Sequence, residues 1–412
     1  MDGSIYSPGA GHFPPVLAGR DWILQEWTTT LNNVVSSGRV RAQDIILSGP
    51  RGVGKTVTME AMADAAKQQG FDVVNLQAVA GHIGLVPSLM QKATLLTHQE
   101  SGPWKRAMGA FERLGGLTFS FAGISAGITT KTVPSSDVID PGILADTLAT
   151  LAQEIVKDEP QGGLLITVDE LQVASASDLA LLAATLHRLN VEHPRATVLF
   201  IGTGLPHIST VLTSSGVTHP DRLFQLEPLP LTLSEGEARY ALIEPARRIG
   251  VTWEPEAAQV ILDASQGYPA HLQFYADQIW TSAIGPDRIT LADAQSGMPQ
   301  AEATLMKRTL QPRWMRMSDR QMEFLAGLAV LGSSASVSIL ARTLNRNITD
   351  LSWIRDELLK EGDIYSPKRG LLTFTVPAFA RFVLQEYEAT RRYASTSLLS
   401  LGALRQNAET AI

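Results

Sequence analysis

Gly49-Pro50-Arg51-Gly52-Val53-Gly54-Lys55-Thr56 has the residue types and spacing of a loop that wraps phosphate groups. Its glycines let successive backbone N–H groups turn inward toward an anion. Lys55 would reach the β- and γ-phosphates of a nucleotide, and the Thr56 hydroxyl would sit on Mg²⁺. The phosphate-binding stretch therefore runs from Gly49 to Val57. A second chemical group lies at Asp169-Glu170, directly after the apolar run Leu164-Leu165-Ile166-Thr167-Val168. Acidic residues at the carboxyl end of a buried parallel strand lie where ligands bind in such sheets. Asp169 would complete the Mg²⁺ shell, and Glu170 would orient and deprotonate an attacking water. The alternative for this pair is a helix N-cap, since a helical pattern follows.

These residues need a strand, a glycine-rich turn and a helix in that order, because the helix N-terminus adds its own positive end. Asp44-Ile45-Ile46-Leu47 reads as the strand, and Thr56 to Gln69 as the helix, with Gly70 as its C-cap. Asp21 to Val35 reads as a leading helix that Trp22 and Trp27 pack. Further strands are expected at Phe71–Leu76, Leu164–Val168, Ala196–Ile201 and Leu223–Leu226, with a helix at Asp178–Leu189. Strands alternating with helices predict an α/β fold on a doubly wound parallel sheet. The long interval before Leu164 holds two period-two stretches, Leu117–Phe121 and Ile124–Ile128, which predict a β-hairpin insertion.

Two further polar residues stand near the expected sheet edge. Thr203, in Gly202-Thr203-Gly204, is a candidate contact to a γ-phosphate or to the water; a plain strand-end turn is the alternative. Arg222 would either reach a neighbouring subunit's γ-phosphate or pair locally with Asp221 or Glu227. The eight histidines show no metal-binding spacing; His207 and His219 fall in loops near the expected site.

Composition narrows the class. The 412 residues exceed one ordinary core, so more than one domain is expected. A hydrophobic fraction of 44% with 18% charged residues describes a globular chain, and a net charge of −7 argues against a general polyanion binder. Cysteine is absent, which excludes disulfides and thiol chemistry and fits a cytoplasmic setting. No signal peptide and no membrane-spanning run are apparent.

After Leu226 the pattern becomes helical. Glu235–Arg248, Pro255–Ser265, Pro269–Ser282 and Leu291–Ala303 form a small helical domain. A third pattern starts at Ser318, which caps a helix through Leu331; Val337–Leu344 and Thr349–Lys360 follow. Ile364-Tyr365-Ser366, the turn Pro367-Lys368-Arg369-Gly370 and Leu371–Phe374 then make a hairpin, which completes a winged-helix pattern. Its third helix carries Asp350, Asp356 and Glu357 against Arg355 and Lys360, a poor match to a phosphate-lined groove. Lys368 and Arg369 at the wing, with Arg313, Arg316 and Arg320, suit double-stranded DNA better; a protein-docking role is the alternative.

The segments Leu17-Ala18-Gly19-Arg20-Asp21, GPRGVGKT, LLITVDE, FIGTGLP, DRLF and Gly267-Tyr268-Pro269 together resemble the AAA+ ATPases of the origin-recognition or initiator type. They look most like a bacterial group of ATP-binding AAA+ proteins common in actinobacteria, and the resemblance spans about Val16 to Tyr387. It implies a flexible tail at 1–16 and an α/β ATPase core at 17–228, with the insertion at about 81–140. A helical lid at 229–312, a winged helix at 313–387 and a C-terminal tail at 388–412 follow. It also implies ATP and Mg²⁺ as ligands, adenine held near Leu17, Gly19 and Arg20 with Pro269 contributing, and homo-oligomers formed through the ATP sites. Many such lids carry a sensor arginine where this chain has Ala270, with His271 beside it as a packing residue. The Gly-x-Pro form also resembles slow signalling switches of the STAND type. The expected activity is thus an ATPase switch; the alternative is a slowly hydrolysing regulator whose winged helix docks a protein.

Overall fold

The computed structural model describes residues 3–9, 11–37, 44–79, 84–97, 102–107, 109–110, 139–283, 285, 287–394 and 397–411. The hairpin expected at 117–128 lies outside the described residues. Two compact units are present: Arg20–Gly49 with Lys55–Leu229, and Met1–Gly19 with Pro50–Gly54 and Pro230–Ile412.

The first of these is built on five parallel strands: β1 (Asp44–Ser48), β2 (Phe71–Gln77), β3 (Gly163–Asp169), β4 (Val198–Gly204) and β5 (Phe224–Pro228). Their order in the sheet is β2-β3-β4-β1-β5. Leu164 to Val168 are all buried, as the unbroken apolar run requires of a strand covered on both faces. Register places the functional ends side by side. Val168 pairs with Gly202 and Leu47 with Thr203, so Asp169, Thr203 and the end of β1 form one row at the carboxyl edge.

Helix Asp21–Ser37 buries Ile23, Trp27, Leu31 and Val34, a stripe at helical spacing. Trp27 Nε1 donates to the Met62 carbonyl at 2.7 Å, which ties this helix to Lys55–Gln68. Trp22, expected to pack with Trp27, is instead 42% exposed because it falls off that stripe. Helix Pro141–Asp158, unassigned from sequence, starts at Asp140, whose carboxylate accepts from Gly142 N and Ile143 N with Pro141 in the first turn. Helix Ala176–Glu192 covers the expected Asp178–Leu189 and extends it at both ends.

Asp44 opens β1 buried, and its Oδ2 has no hydrogen-bond partner among the described residues. Burial pushes its carboxyl up from 3.8 to about 7, partly offset by the Phe200 backbone and Asn190. Between these values the native state keeps a proton that the unfolded chain has lost. Stability therefore falls as pH rises through this window, by at most about 1.4 kcal/mol per pH unit, and the loss is complete above pH 7. Asp44→Asn should flatten this part of the profile. Urea denaturation at several pH values between 4.5 and 7.5 checks it; equal slopes in the two proteins would exclude the assignment.

The second unit contains helices Glu235–Arg248, Pro255–Ser265, Pro269–Ser282 and Leu291–Leu305, as the sequence pattern predicts. Ser234 with Glu237, and Thr290 with Asp293, form capping boxes at two of their starts. Two short strands, β6 (Thr252–Trp253) and β7 (Arg288–Ile289), pair in parallel. Residues 3–9, expected as a flexible tail, are held down in this unit. Tyr6 is 3% exposed. Its hydroxyl donates to the Leu242 carbonyl at 2.5 Å and accepts from Trp253 Nε1 at 2.9 Å. Trp280 Nε1 donates to the Gly3 carbonyl at 3.0 Å. Three aromatic side chains thus give this segment enough buried surface and hydrogen bonding to offset the entropy of ordering it.

The C-terminal part of this unit has helices Asp319–Val330, Val337–Thr343 and Ile348–Glu361. Beside them lie strands β8 (Ser334–Ser336), β9 (Ile364–Tyr365) and β10 (Leu371–Phe374) in an antiparallel sheet of order β8-β10-β9. Ser318 is the N-cap, as its position predicts. Helix Pro377–Arg391 follows. The segment expected as a tail continues into helix Leu401–Ala411, which buries Leu401, Leu404, Ala408 and Ala411. Glu323, 2% exposed, accepts from Arg320, Arg346 and the Leu399 backbone N–H, the set of donors a buried carboxylate needs.

Candidate functional site

In the sheet-containing unit, four of the predicted site residues converge on one carboxylate or its neighbour. Thr56, in the first turn of Lys55–Gln68, donates from Oγ1 to Asp169 Oδ2 at 2.9 Å. Thr203 donates from Oγ1 to Asp169 Oδ1 and accepts from the Glu170 N–H at 3.1 Å. The Glu170 N–H also reaches Asp169 Oδ1 at 3.1 Å. Glu170 has left-handed backbone angles, φ 58° and ψ 44°, which a residue with a Cβ rarely adopts. Strain of this kind persists where surrounding bonds over-determine it, and both bonds to the Glu170 N–H serve that purpose. The N-cap alternative for the pair is not realised at Glu170, whose side chain makes no cap bond; the helix after it is capped by Ser175.

Lys55 is 6% exposed at the start of its helix. Val57 is buried as well. Partial burial, and then the negative charges of Asp169 and Asp64, push the Glu60 carboxyl one turn further along upward. A hydroxyl and a carboxylate oxygen within 2.9 Å, in a field that disfavours further negative charge, form a hard-oxygen set suited to Mg²⁺. Thr56 and Asp169 are the residues that would hold it.

Pro50–Gly54 groups with the helical unit. Gly52 and Gly54 have φ of 81° and 93°, the conformations that turn consecutive N–H groups to one side. Val53 is fully buried, which anchors the loop. The Tyr268 hydroxyl donates to the Arg51 carbonyl. A Cβ on Gly52 would lie 2.5 Å from that hydroxyl and 3.0 Å from the Ala270 Cβ, so glycine is required here for space as well as for φ. Tyr268 is 2% exposed, and burial pushes its phenol up to about 12, so it stays a donor at neutral pH. Pro269 sits in the first turn of its helix. His271 is 3% exposed, edge-on to the Tyr268 and Tyr275 rings, and burial pulls it down to about 4; it is a neutral packing residue, as its position suggested.

The remaining predicted residues are placed as follows. Gly19 has φ 69°, and a Cβ there would come within 2.9 Å of Leu233 and 3.0 Å of Glu237. Leu17 belongs to the same unit, while Arg20, 2% exposed, starts the other. Arg222 is exposed on the short helix Pro220–Leu223 and pairs with neither Asp221 nor Glu227 among the described residues. Burial lowers the His207 imidazole from its ordinary value. Of the arginines offered to DNA, Arg320 is engaged by Glu323 at 3.1 Å, and Arg313 lies 3.8 Å from Asp363. Lys368 and Arg369 are exposed and form no ion pair among the described residues. Two residues with local roles escaped the sequence reading. Tyr268 lies inside a quoted segment without a role attached, and Gln172 bonds Glu170 from a turn that no spacing rule marks.

Residues 16–201 match the family described as AAA ATPase domain, and residues 307–383 match a domain of unknown function, DUF8462. No curated protein matches the chain. A Walker-type ATPase of Pyrococcus abyssi is similar in structure, with a TM-score of 0.55 at 15% identity, over 90% of this chain and 96% of that one. The Aeropyrum pernix ORC2 protein, solved in ADPNP–ADP complexes, gives 0.53 at 17% identity, over 94% and 100%. At these identities the likeness concerns the fold. No helix among the described residues is long and apolar enough to cross a membrane. With the phosphate loop, the strand order and the Asp169 cluster already in place, residues 16–201 are the part of the chain that is similar to an AAA ATPase domain.

Proposed function

We propose that the chain binds Mg-ATP, hydrolyses it with Glu170 as the base, and uses the cycle as a conformational switch. The observation that carries this reading is the junction of Thr56, Asp169, Thr203 and Glu170 at the carboxyl edge of a parallel sheet. Lys55 and the N–H groups of Gly52–Thr56 bind the phosphates. Asp169 and Thr56 hold the metal ion, which neutralises charge on the transferring phosphoryl group. Glu170 takes the water proton. The core comprises 17–228, the lid 229–312 and a winged helix 313–387. Leu17, Gly19, Arg20 and Pro269 are the residues assigned to the base, and Arg222, exposed and with no acidic partner among the described residues, acts on a neighbouring subunit's nucleotide in an ATP-dependent oligomer.

A slower, regulatory version of this reading is favoured by one specific feature. Ala270 stands where a sensor arginine would act, and the space beside Gly52 is filled by Ala270 and Tyr268. In that version the winged helix signals to a partner. DNA is supported by Lys368 and Arg369, exposed and in no ion pair among the described residues, and opposed by the exposed acids Asp350 and Asp356.

The test is phosphate release and sizing of the full chain with Mg-ATP, ADP and a non-hydrolysable analogue. Release that requires Mg²⁺, with a larger species in the analogue, supports the switch. Tight binding with no release in any oligomeric state would reject hydrolysis. Duplex DNA added in the same experiment addresses the wing. Lys368→Glu/Arg369→Glu should lower the salt dependence of binding by about two units of log–log slope, and an unchanged slope would place DNA elsewhere.

A further inference from the structure

Glu170 is held at its backbone by Asp169 and Thr203, but its side chain has a separate partner. Gln172 Nε2 donates to Glu170 Oε2 at 2.5 Å. The other end of the same amide, Oε1, accepts from the Leu205 N–H at 3.1 Å, just beyond the end of β4. This fixes which way the amide faces. The Leu205 N–H can only donate, so it must meet the amide oxygen. The amide NH₂ then has to face Glu170, and it matches a carboxylate, which can only accept.

The turn that carries Gln172 is itself immobilised. Leu171–Val173 is a single 3-10 turn, and Leu171 is 1% exposed. A Cβ on Gly202 of β4 would lie 2.3 Å from Leu171 Cδ1, so the turn is pressed against the strand that also carries Thr203. Glu170 thus has its N–H bonded to one residue of β4 and its carboxylate linked, through one amide, to the residue that follows β4. No hydrogen bond to Oε1 of Glu170 is present among the described residues.

We propose that Gln172 is a positioning residue for hydrolysis: its side-chain amide clamps the Glu170 carboxylate to the end of β4 and leaves one carboxylate oxygen to take the proton of the attacking water. This rests on the hydrolytic reading above. A base held within a fraction of an ångström of its working position keeps its rate advantage, and a loose one loses it.

Gln172→Glu and Gln172→Ala separate this role from a merely structural one. Gln172→Glu keeps the size of the side chain and the acceptor for the Leu205 N–H, and it replaces only the donor toward Glu170 with a second carboxylate. Gln172→Ala removes both bonds. If Gln172 positions Glu170, kcat falls about 10- to 100-fold in both variants, with Gln172→Glu at least as low as Gln172→Ala. KM and the affinity for a non-hydrolysable ATP analogue stay within about threefold. A purely structural glutamine predicts the opposite order, with Gln172→Glu close to the unmodified protein. That order, or a kcat that rises in either variant, overturns the proposal.

A second measurement does not depend on turnover. The Gln172 side-chain amide protons, identified by their absence from the Gln172→Glu spectrum, should shift in Glu170→Ala. If they do not shift, the clamp is absent. If they shift while the unmodified protein releases no phosphate, the clamp stands and the hydrolytic reading fails.

Discussion

Glu170→Gln should abolish phosphate release and leave ATP binding intact. The substitution keeps size and hydrogen-bonding capacity but removes the carboxylate proposed to accept the water proton. General-base catalysis contributes on the order of 10²- to 10⁴-fold, so a loss of at least about 100-fold is expected. In the proposed site the phosphate contacts would belong to Gly49–Thr56 and the metal contacts to Thr56 and Asp169, so the dissociation constant for ATP should change by less than about threefold. Fold should be retained, because the backbone bonds that hold Glu170 come from its N–H and not from its side chain. Single-turnover phosphate release together with equilibrium binding measures both quantities. Release at the unmodified rate would remove Glu170 from the reaction, and loss of binding would mean that its charge serves the nucleotide instead.

Thr203→Val should cost both stability and turnover. Thr203 is fully buried, and valine fills the same space, so no cavity arises. What disappears is the donor to Asp169 Oδ1 and one of the two acceptors of the Glu170 N–H. Leaving buried polar groups short of partners costs about 1–3 kcal/mol. For a unit of about 200 residues that lowers Tm by roughly 2–4 °C per kcal/mol. Glu170, in its left-handed conformation, then loses part of what holds it, and kcat should fall about tenfold or more. Thr203→Ser retains the hydroxyl and should recover most of both losses. The sequence reading offered Thr203 as a contact to a γ-phosphate or to the water, with a plain strand-end turn as the alternative. The γ-phosphate contact predicts a selective loss of affinity for ATP over ADP, with Tm unchanged. Calorimetry and nucleotide titrations of the two variants therefore distinguish a residue that reads the ligand from one that sets the acidic pair in place.

The difference between those two roles shows where local information stops. Glycine spacing in Gly49–Thr56 specifies backbone angles, and an apolar run ending in Asp169-Glu170 specifies a buried strand with its acids at one edge. Both follow from preferences that act over a few residues, and both are found in the structure. The capping serine Ser318 was legible for the same reason. Helix Pro141–Asp158 carries an equally local signal, Asp140 before Pro141, yet it lay in an interval read chiefly for its period-two stretches. Trp22 shows the reverse error: its type suggested burial, while helical phase put it outside.

Charge was the least legible property. Arg313 and Arg320 looked available to DNA because nothing near them in the chain cancels both. The fold brings Asp363 to Arg313 and turns Glu323, three residues after Arg320, inward to meet it together with Arg346. Lys368 and Arg369, at a hairpin turn, remain exposed because no element of the described structure packs over them.

By itself the amino-acid sequence determined the phosphate loop, the strand that presents Asp169 and Glu170, the parallel sheet and the order of helices after Leu226. Each is written in dihedral preferences and hydrophobic periods that operate within one element. Only the tertiary structure decided that Thr203 serves Asp169, that Gln172 reaches both Glu170 and Leu205, that Tyr268 bonds the Arg51 carbonyl, and that Tyr6 is a core residue. Most of these bonds join residues tens to hundreds of positions apart. The contact from Gln172 to Glu170, though local, depends on a left-handed residue that the neighbouring strand holds in place. For Thr203 and Gln172 the reason is which strand ends lie side by side, settled by sheet order and register; for Tyr268 and Tyr6 it is the packing of the helical unit, and neither is written in spacing along the chain.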